Sequence, residues 1–118
     1  MISLDIETSG LDIEKCGIFQ IGALEIESNK EFFGEAKIDD SDLILDEALK
    51  VTGKTENEFR DKSKQSQRQM LEKFFNFVEN AKTKTILCQN PQALDIPIIA
   101  IKAKKYGLKT PFHYRAFD

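Results

Sequence analysis

The segment Ile2-Ser3-Leu4-Asp5-Ile6-Glu7-Thr8-Ser9-Gly10-Leu11 reads as a buried strand interrupted by two carboxylates, Asp5 and Glu7. An unpaired carboxylate in an apolar setting is costly, so such groups are neutralised, paired with a cation or used as metal ligands. Residues two apart in a strand share a face, which sends both carboxylates to the same side. That disposition suits a hard divalent cation. The expectation is a magnesium- or manganese-dependent site that handles phosphate.

The rest of the composition fits one globular unit. The chain has 118 residues, 41% of them hydrophobic and 31% charged, with nine phenylalanines and no tryptophan. A length of this order is served by one core, so a single domain over residues 1–118 is expected. With only Cys16 and Cys88, and no signal-peptide pattern, a disulfide framework is not expected and a reducing, cytoplasmic location is. The longest apolar run, Leu94 to Ile101, contains Asp95 and Pro97 and is too short to cross a bilayer, so no membrane association is expected.

A net charge of -3 argues against a protein that grips long duplexes mainly by neutralising phosphates. Charge is nevertheless uneven. Lys102, Lys104, Lys105, Lys109 and Arg115 gather near the C-terminus, and Asp39, Asp40, Asp42, Asp46 and Glu47 gather near the middle. The expectation for these runs is a solvated helix face, with a one-sided phosphate contact as the alternative.

Along the chain, Ile2 to Ile6 is predicted as a first strand, followed by a polar loop through Cys16. Gly17 to Ile26 is apolar on both faces, as in a central strand covered on both sides. Glu31 to Ile38 is its expected antiparallel partner across Ser28-Asn29-Lys30. Leu43 to Val51 reads as a short helix ending near Gly53, and Thr55-Glu56-Asn57-Glu58 as a capping box. From Ser66 to Asn80, Met70, Leu71, Phe74, Phe75 and Val78 recur at helical spacing. A strand at Thr85 to Cys88, a helix from Asp95 to Tyr106 stopped by Gly107, and a strand from Tyr114 to Asp118 complete the series. The order implies an α/β fold in which a three-stranded antiparallel meander is followed by parallel strands with flanking helices. One side of that sheet is expected to be incomplete at the C-terminus.

Taken together, Asp5-Ile6-Glu7-Thr8-Ser9-Gly10-Leu11 and Ile18-Phe19-Gln20-Ile21-Gly22-Ala23-Leu24 resemble the first motif of the DEDD, or DnaQ-like, 3'-5' exonucleases. Ala48 to Thr55 is similar to the segment that family carries between its first two motifs. Cys88-Gln89-Asn90-Pro91 with Asp95-Ile96-Pro97 is similar to the second motif, although the interval from Asn90 to Asp95 is one residue longer than usual and Leu94 stands where an aromatic is common. The resemblance implies a ribonuclease H-like fold. It also implies two divalent cations, Mg2+ or Mn2+, with Asp5 shared between them, Glu7 on the nucleophile side and Asp95 reaching in from its helix. Thr8, Gly10, Leu11 and Asn90 would lie beside the terminal nucleotide at the 3' end of single-stranded DNA or RNA. Read without the resemblance, Gly10 is a turn residue and Asp95 a helix N-cap.

The family also carries a further aspartate and a histidine or tyrosine base on a late helix. His113 and Asp118 have the spacing of the histidine type, and histidine is suited to taking a proton near neutrality. Pro111-Phe112 opposes a helix there, so the match is expected to be coincidental and the chain to lack its third motif. Weak or absent catalysis by the isolated chain follows. The alternatives are a non-catalytic nucleotide- or nucleic-acid-binding accessory module and a phosphotransfer enzyme using Asp5 as nucleophile; a polymerase or other protein partner is left open under each.

Overall fold

The computed structural model describes residues 1–88 and 95–116, the last four of these by backbone path alone. Strand β1 (Ile2–Thr8) pairs antiparallel with β2 (Ile18–Glu25), which pairs antiparallel with β3 (Lys30–Lys37). Asn29, at φ 60°, makes the tight turn between the last two. This is the meander expected from the sequence. Strand β5 (Thr85–Cys88) joins β1 in parallel and β6 (His113–Ala116) joins β5 in parallel. A two-residue strand, β4 (Gln65–Ser66), extends the far edge beside β3 and is too short to leave a periodic signal. The six-stranded sheet runs β4-β3-β2-β1-β5-β6, the mixed ribonuclease H-like order with β2 alone opposed to the others.

Helix α3 (Gln67–Glu79) carries the crossover from the meander to β5. Ser66 caps it, accepting from the Gln69 N–H while the Gln69 side chain accepts from the Ser66 N–H. Its buried stripe, Met70, Leu71, Phe74, Phe75 and Val78, is the one the spacing predicts. It packs with Ile2, Leu4, Ile21 and Ala23 of the sheet and with Ile96, Ile98, Ile99 and Ala103 of helix α4 (Asp95–Lys105). Gly107, at φ 70°, ends α4 as expected. No helix among the described residues is long and apolar enough to cross a membrane.

Three expectations need correction. Helix α1 spans Asp46–Thr52, because the Leu43 and Leu45 N–H groups, expected inside it, bond instead to the Lys15 and Ser9 carbonyls and tie that segment to the first loop. Strand β2 is buried on both faces only at Ile18 and Phe19; further on, burial alternates, with Ile21 and Ala23 inside and Gln20, Gly22 and Leu24 half-covered. Phe19 belongs to a second, smaller core with Ile38, Ala48 and Phe59, where its ring meets Phe59 edge-on at 4.6 Å between centroids. Phe59 comes from helix α2 (Glu56–Phe59), started by the expected Thr55–Glu58 capping box. Finally, β1 is not buried throughout: Ile2 and Leu4 face the core, whereas Asp5 is exposed and Glu7 half-covered.

Candidate active site

The described pairing of β1 with β5 reaches Leu4–Cys88, and Asp5, Ile6 and Glu7 follow along β1. From this point the chain leaves β1 toward β2 and β5 toward β6, on opposite sides, which makes a topological switch at the carboxyl ends of two parallel strands. Open α/β sheets bind ligands in such crevices. Helix α4 begins there with Asp95 in its first turn.

Asp95 is not the exposed N-cap that its place before Ile96-Pro97 also allowed. The Ile6 backbone N–H lies near enough to its carboxyl to lower it, and Asp5 lies near enough to raise it. Burial first, and the Asp5 charge second, push the Asp95 carboxyl up to about 6 against the lowering effect of the Ile6 N–H. Burial and then the Asp95 charge likewise raise the Cys88 thiol. The desolvated acid is therefore Asp95 rather than Asp5. Opposite Asp5 on β2 is Gly22, which has no side chain to cover it, and a hollow of about 320 Å³ opens between Ser3, Asp5, Gly22, Leu24 and Phe33.

Glu7 points into a different space, a cleft of about 250 Å³. Thr8, Gly10 and Leu11 line it with Glu7, and the far wall is Leu45, Ala48, Val51 and Thr52. Sequence reasoning assigned no role to that wall, although its spacing of three and four residues places it on one helix face. The wall and loop interlock. A Cβ on Gly10 would lie 2.7 Å from both Cys16 Sγ and the Leu45 side chain, so only glycine allows this approach. Thr8 Oγ1 donates to the Gly10 carbonyl at 2.8 Å, and Thr52 Oγ1 to the Ala48 carbonyl at 2.7 Å.

The two charge runs are solvated at Lys104, Lys109, Asp40, Asp46 and Glu47, as expected, but four of their other members meet each other. Lys102 and Asp42, exposed by only 3% and 4%, form a buried ion pair, and Lys105 binds Asp39 at 2.6 Å. Tyr106 donates its hydroxyl to Asp39 at 2.5 Å. Burial alone would raise Asp39, but the hydrogen bonds from Lys105 and Tyr106 outweigh it and hold the carboxyl below its ordinary value. Asp42 also accepts from Gln67 Nε2 at 2.7 Å, while Gln67 Oε1 accepts from the Ile18 N–H at 2.7 Å.

The structure thus brings Asp5 and Asp95 together and sets Glu7 with Thr8, Gly10 and Leu11 along the adjoining cleft. Among the described residues no three histidine, cysteine or acidic side chains converge as one metal-holding group. Asn90 and Asp118 lie outside the described residues, and His113 opens β6.

Comparison with known proteins gives the same architecture. The sequence profile described as Exonuclease (RNase_T) matches residues 2–117. No curated protein matches the chain in sequence. Among solved structures, a product-bound exonuclease I superposes with a TM-score of 0.78 at 19% identity, over 99% of this chain and 29% of the other. E. coli exonuclease I in complex with a 5cy-dA13 oligonucleotide gives 0.74 at 20% identity, over 99% and 27%. A 3'-exonuclease in 3'-end specific recognition of a histone mRNA stem-loop gives 0.64 at 17% identity, over 93% and 42%. The chain spans less than half the length of these proteins, and likeness at such identities speaks for the fold.

Proposed function

The chain belongs to the exonuclease (RNase_T) family, and from that premise we propose that it is a metal-dependent 3'-5' exonuclease domain acting on the 3' ends of single-stranded DNA or RNA. The observation that carries the reading is the approach of Asp95 to Asp5 at the switch between β1 and β5.

A divalent cation fits the Asp5–Asp95 pair. Carboxylate oxygens suit Mg2+ or Mn2+, and the repulsion that raises Asp95 is what a cation between the two would relieve. Asp5 and Asp95 would hold the metal, with Glu7 as the third carboxylate on the same strand. Bound divalent ions would supply Lewis acidity at a phosphodiester and a more acidic water.

The residues of the cleft would seat the terminal nucleoside. Leu11, Leu45, Ala48 and Val51 offer aliphatic contact, and the Thr52 hydroxyl is engaged with its own helix. Such walls grip a base without reading its edges, which supports sequence-tolerant binding. Neighbours include enzymes bound to a DNA oligonucleotide and to an RNA stem-loop, so the proposal covers both polymers. Buried, free Cys16 and Cys88 accord with the reducing, cytoplasmic setting it includes.

The proposal assigns weak activity to the 118-residue chain, since among the described residues no group of three acidic, histidine or cysteine side chains forms where the family chemistry uses a fuller set. That observation also favours a second reading, a module that binds nucleotides without hydrolysing them. Incubation with Mn2+, a nucleoside 5'-monophosphate and a 5'-labelled single-stranded oligonucleotide separates them. Slow trimming from the 3' end that disappears in Asp5→Ala supports the enzyme, Mn2+-dependent binding of the monophosphate without trimming supports the module, and neither result would remove both.

A further inference from the structure

The Lys102–Asp42 pair is buried at a cost that its contribution to stability does not explain. Two charges lose their water, and apolar side chains of similar volume would avoid that penalty. What an ion pair supplies that a methyl contact cannot is direction, and the Asp42 carboxylate is directed at three segments. Oδ2 accepts from the Asp39 N–H at 2.9 Å and from Gln67 Nε2 at 2.7 Å, and Oδ1 accepts from Lys102 Nζ. Gln67 passes the connection to the first residue of β2 through the Ile18 N–H. A Cβ on Gly17 would fall 2.5 Å from Asp42 Oδ2, so the carboxylate is also pressed against the entry to β2.

Each side of this hub leads to one half of the site. Lys102 is seven residues after Asp95 on α4, two turns along the same face, with Ile98 and Ile99 buried between them. On the other side, Asp42 is followed by Leu43, whose carbonyl accepts from Ser9 Oγ at 2.6 Å, and by Leu45, whose N–H donates to the Ser9 carbonyl at 2.9 Å. Leu45 is the cleft wall lying against Gly10.

We propose that Lys102 and Asp42, with Gln67, are positioning residues that fix the Asp95 helix to the Leu43–Leu45 wall and so hold the two halves of the site in register. Neither touches the reacting atoms. The metal part of the test rests on the proposed function; the positioning part does not.

The test is the double variant Lys102→Met with Asp42→Asn. It is neutral and close in shape, keeps an acceptor for Gln67 and Asp39, and severs the Lys102 link to α4 while the Lys105 and Tyr106 bonds to Asp39 remain. The Ile6 amide, which lies beside the Asp95 carboxyl, reports where α4 sits without any metal. In the folded variant its hydrogen exchange should accelerate roughly tenfold or more while the core amide of Ala23 changes by less than about twofold. Mn2+ affinity should fall by about ten- to a hundredfold, the range for losing a group that orients a ligand. Unchanged Ile6 exchange in a folded variant overturns the proposal. Absence of Mn2+ binding in the unaltered chain would instead remove the metal reading, leaving Ile6 to decide positioning. Should the variant not fold, native-state exchange of the unaltered chain decides: the Ile6 and Ala103 amides opening in one event supports the link, and their opening in separate events contradicts it.

Discussion

Two pairs of charged groups share helix α4, and they are treated in opposite ways. At its far end Lys102 faces Asp42 in the interior with every charge answered, and Gln67 and the Asp39 N–H complete the set. At its start Asp95 is desolvated and feels the charge of another acid, Asp5, with the Ile6 backbone N–H beside it. The fold spends its cations on the first pair and leaves two like charges facing each other in the second. On the proposed reading, a pair left in repulsion beside a strand end is where a positive ligand would bind. The contrast separates what holds the molecule together from what it holds ready.

The largest effect should come from breaking the compensated pair on one side. Asp42→Ala strands a buried ammonium and is expected to cost about 3–5 kcal/mol in urea denaturation, whereas the neutral Lys102→Met, Asp42→Asn pair should cost far less. A loss below about 1 kcal/mol for the single change would show that water reaches Lys102 and that the two pairs are less different than they look.

Next comes the uncompensated pair. At about a hundredfold excess over its Kd, Mn2+ should stabilise the chain by roughly 2.7 kcal/mol. Asp5→Asn or Asp95→Asn should abolish the gain, read as the shift in thermal midpoint with and without the ion.

The pH dependence follows from the signs. Asp95 binds its proton more tightly folded, at about 6, than at its ordinary 3.8. Its favourable contribution is therefore fully present below the ordinary value and is lost as pH rises through about 6. Discounted for partial exposure, roughly 1–2 kcal/mol of metal-free stability should disappear between about pH 4 and pH 6, and Asp95→Asn should remove that slope. Asp39, held low by Lys105 and Tyr106, has the opposite sign: it stabilises above its ordinary value, and that contribution is lost as pH falls through its depressed one. Asp39→Asn should flatten the acid limb and leave the limb near pH 6 untouched.

The smallest effect is a control on the comparison. Arg68→Ala removes the exposed Arg68–Glu72 pair on α3, which touches neither of the two pairs, and should cost at most about 0.5 kcal/mol without changing Mn2+ affinity. A change in affinity would mean that the site responds to stability in general.

What the sequence disclosed was local. The spacing of Asp5 and Glu7, the α3 stripe and the Thr55 box each lie within one turn or one strand, where period and capping chemistry act directly. Lys102 and Asp42 stand 60 positions apart, each inside a run of like charge, so nothing local marked them as partners. The start of α1 was misplaced because Leu43 and Leu45 give their N–H groups to a distant loop, a tertiary override of local pattern. At the site, the strand acids were expected to be buried, whereas Asp5 is exposed; the desolvated acid is Asp95, and that depends on where α4 packs against β1.

The central claim is that Asp5 and Asp95 share a divalent cation, and calorimetric titration of Mn2+ into the unaltered chain, Asp5→Asn and Asp95→Asn at pH 7.5 and pH 5 tests it most directly. The account predicts one saturable site at pH 7.5 involving both acids, weakened at pH 5 as Asp95 takes up its proton and lost in each variant. Binding that survives unchanged in either variant would contradict it.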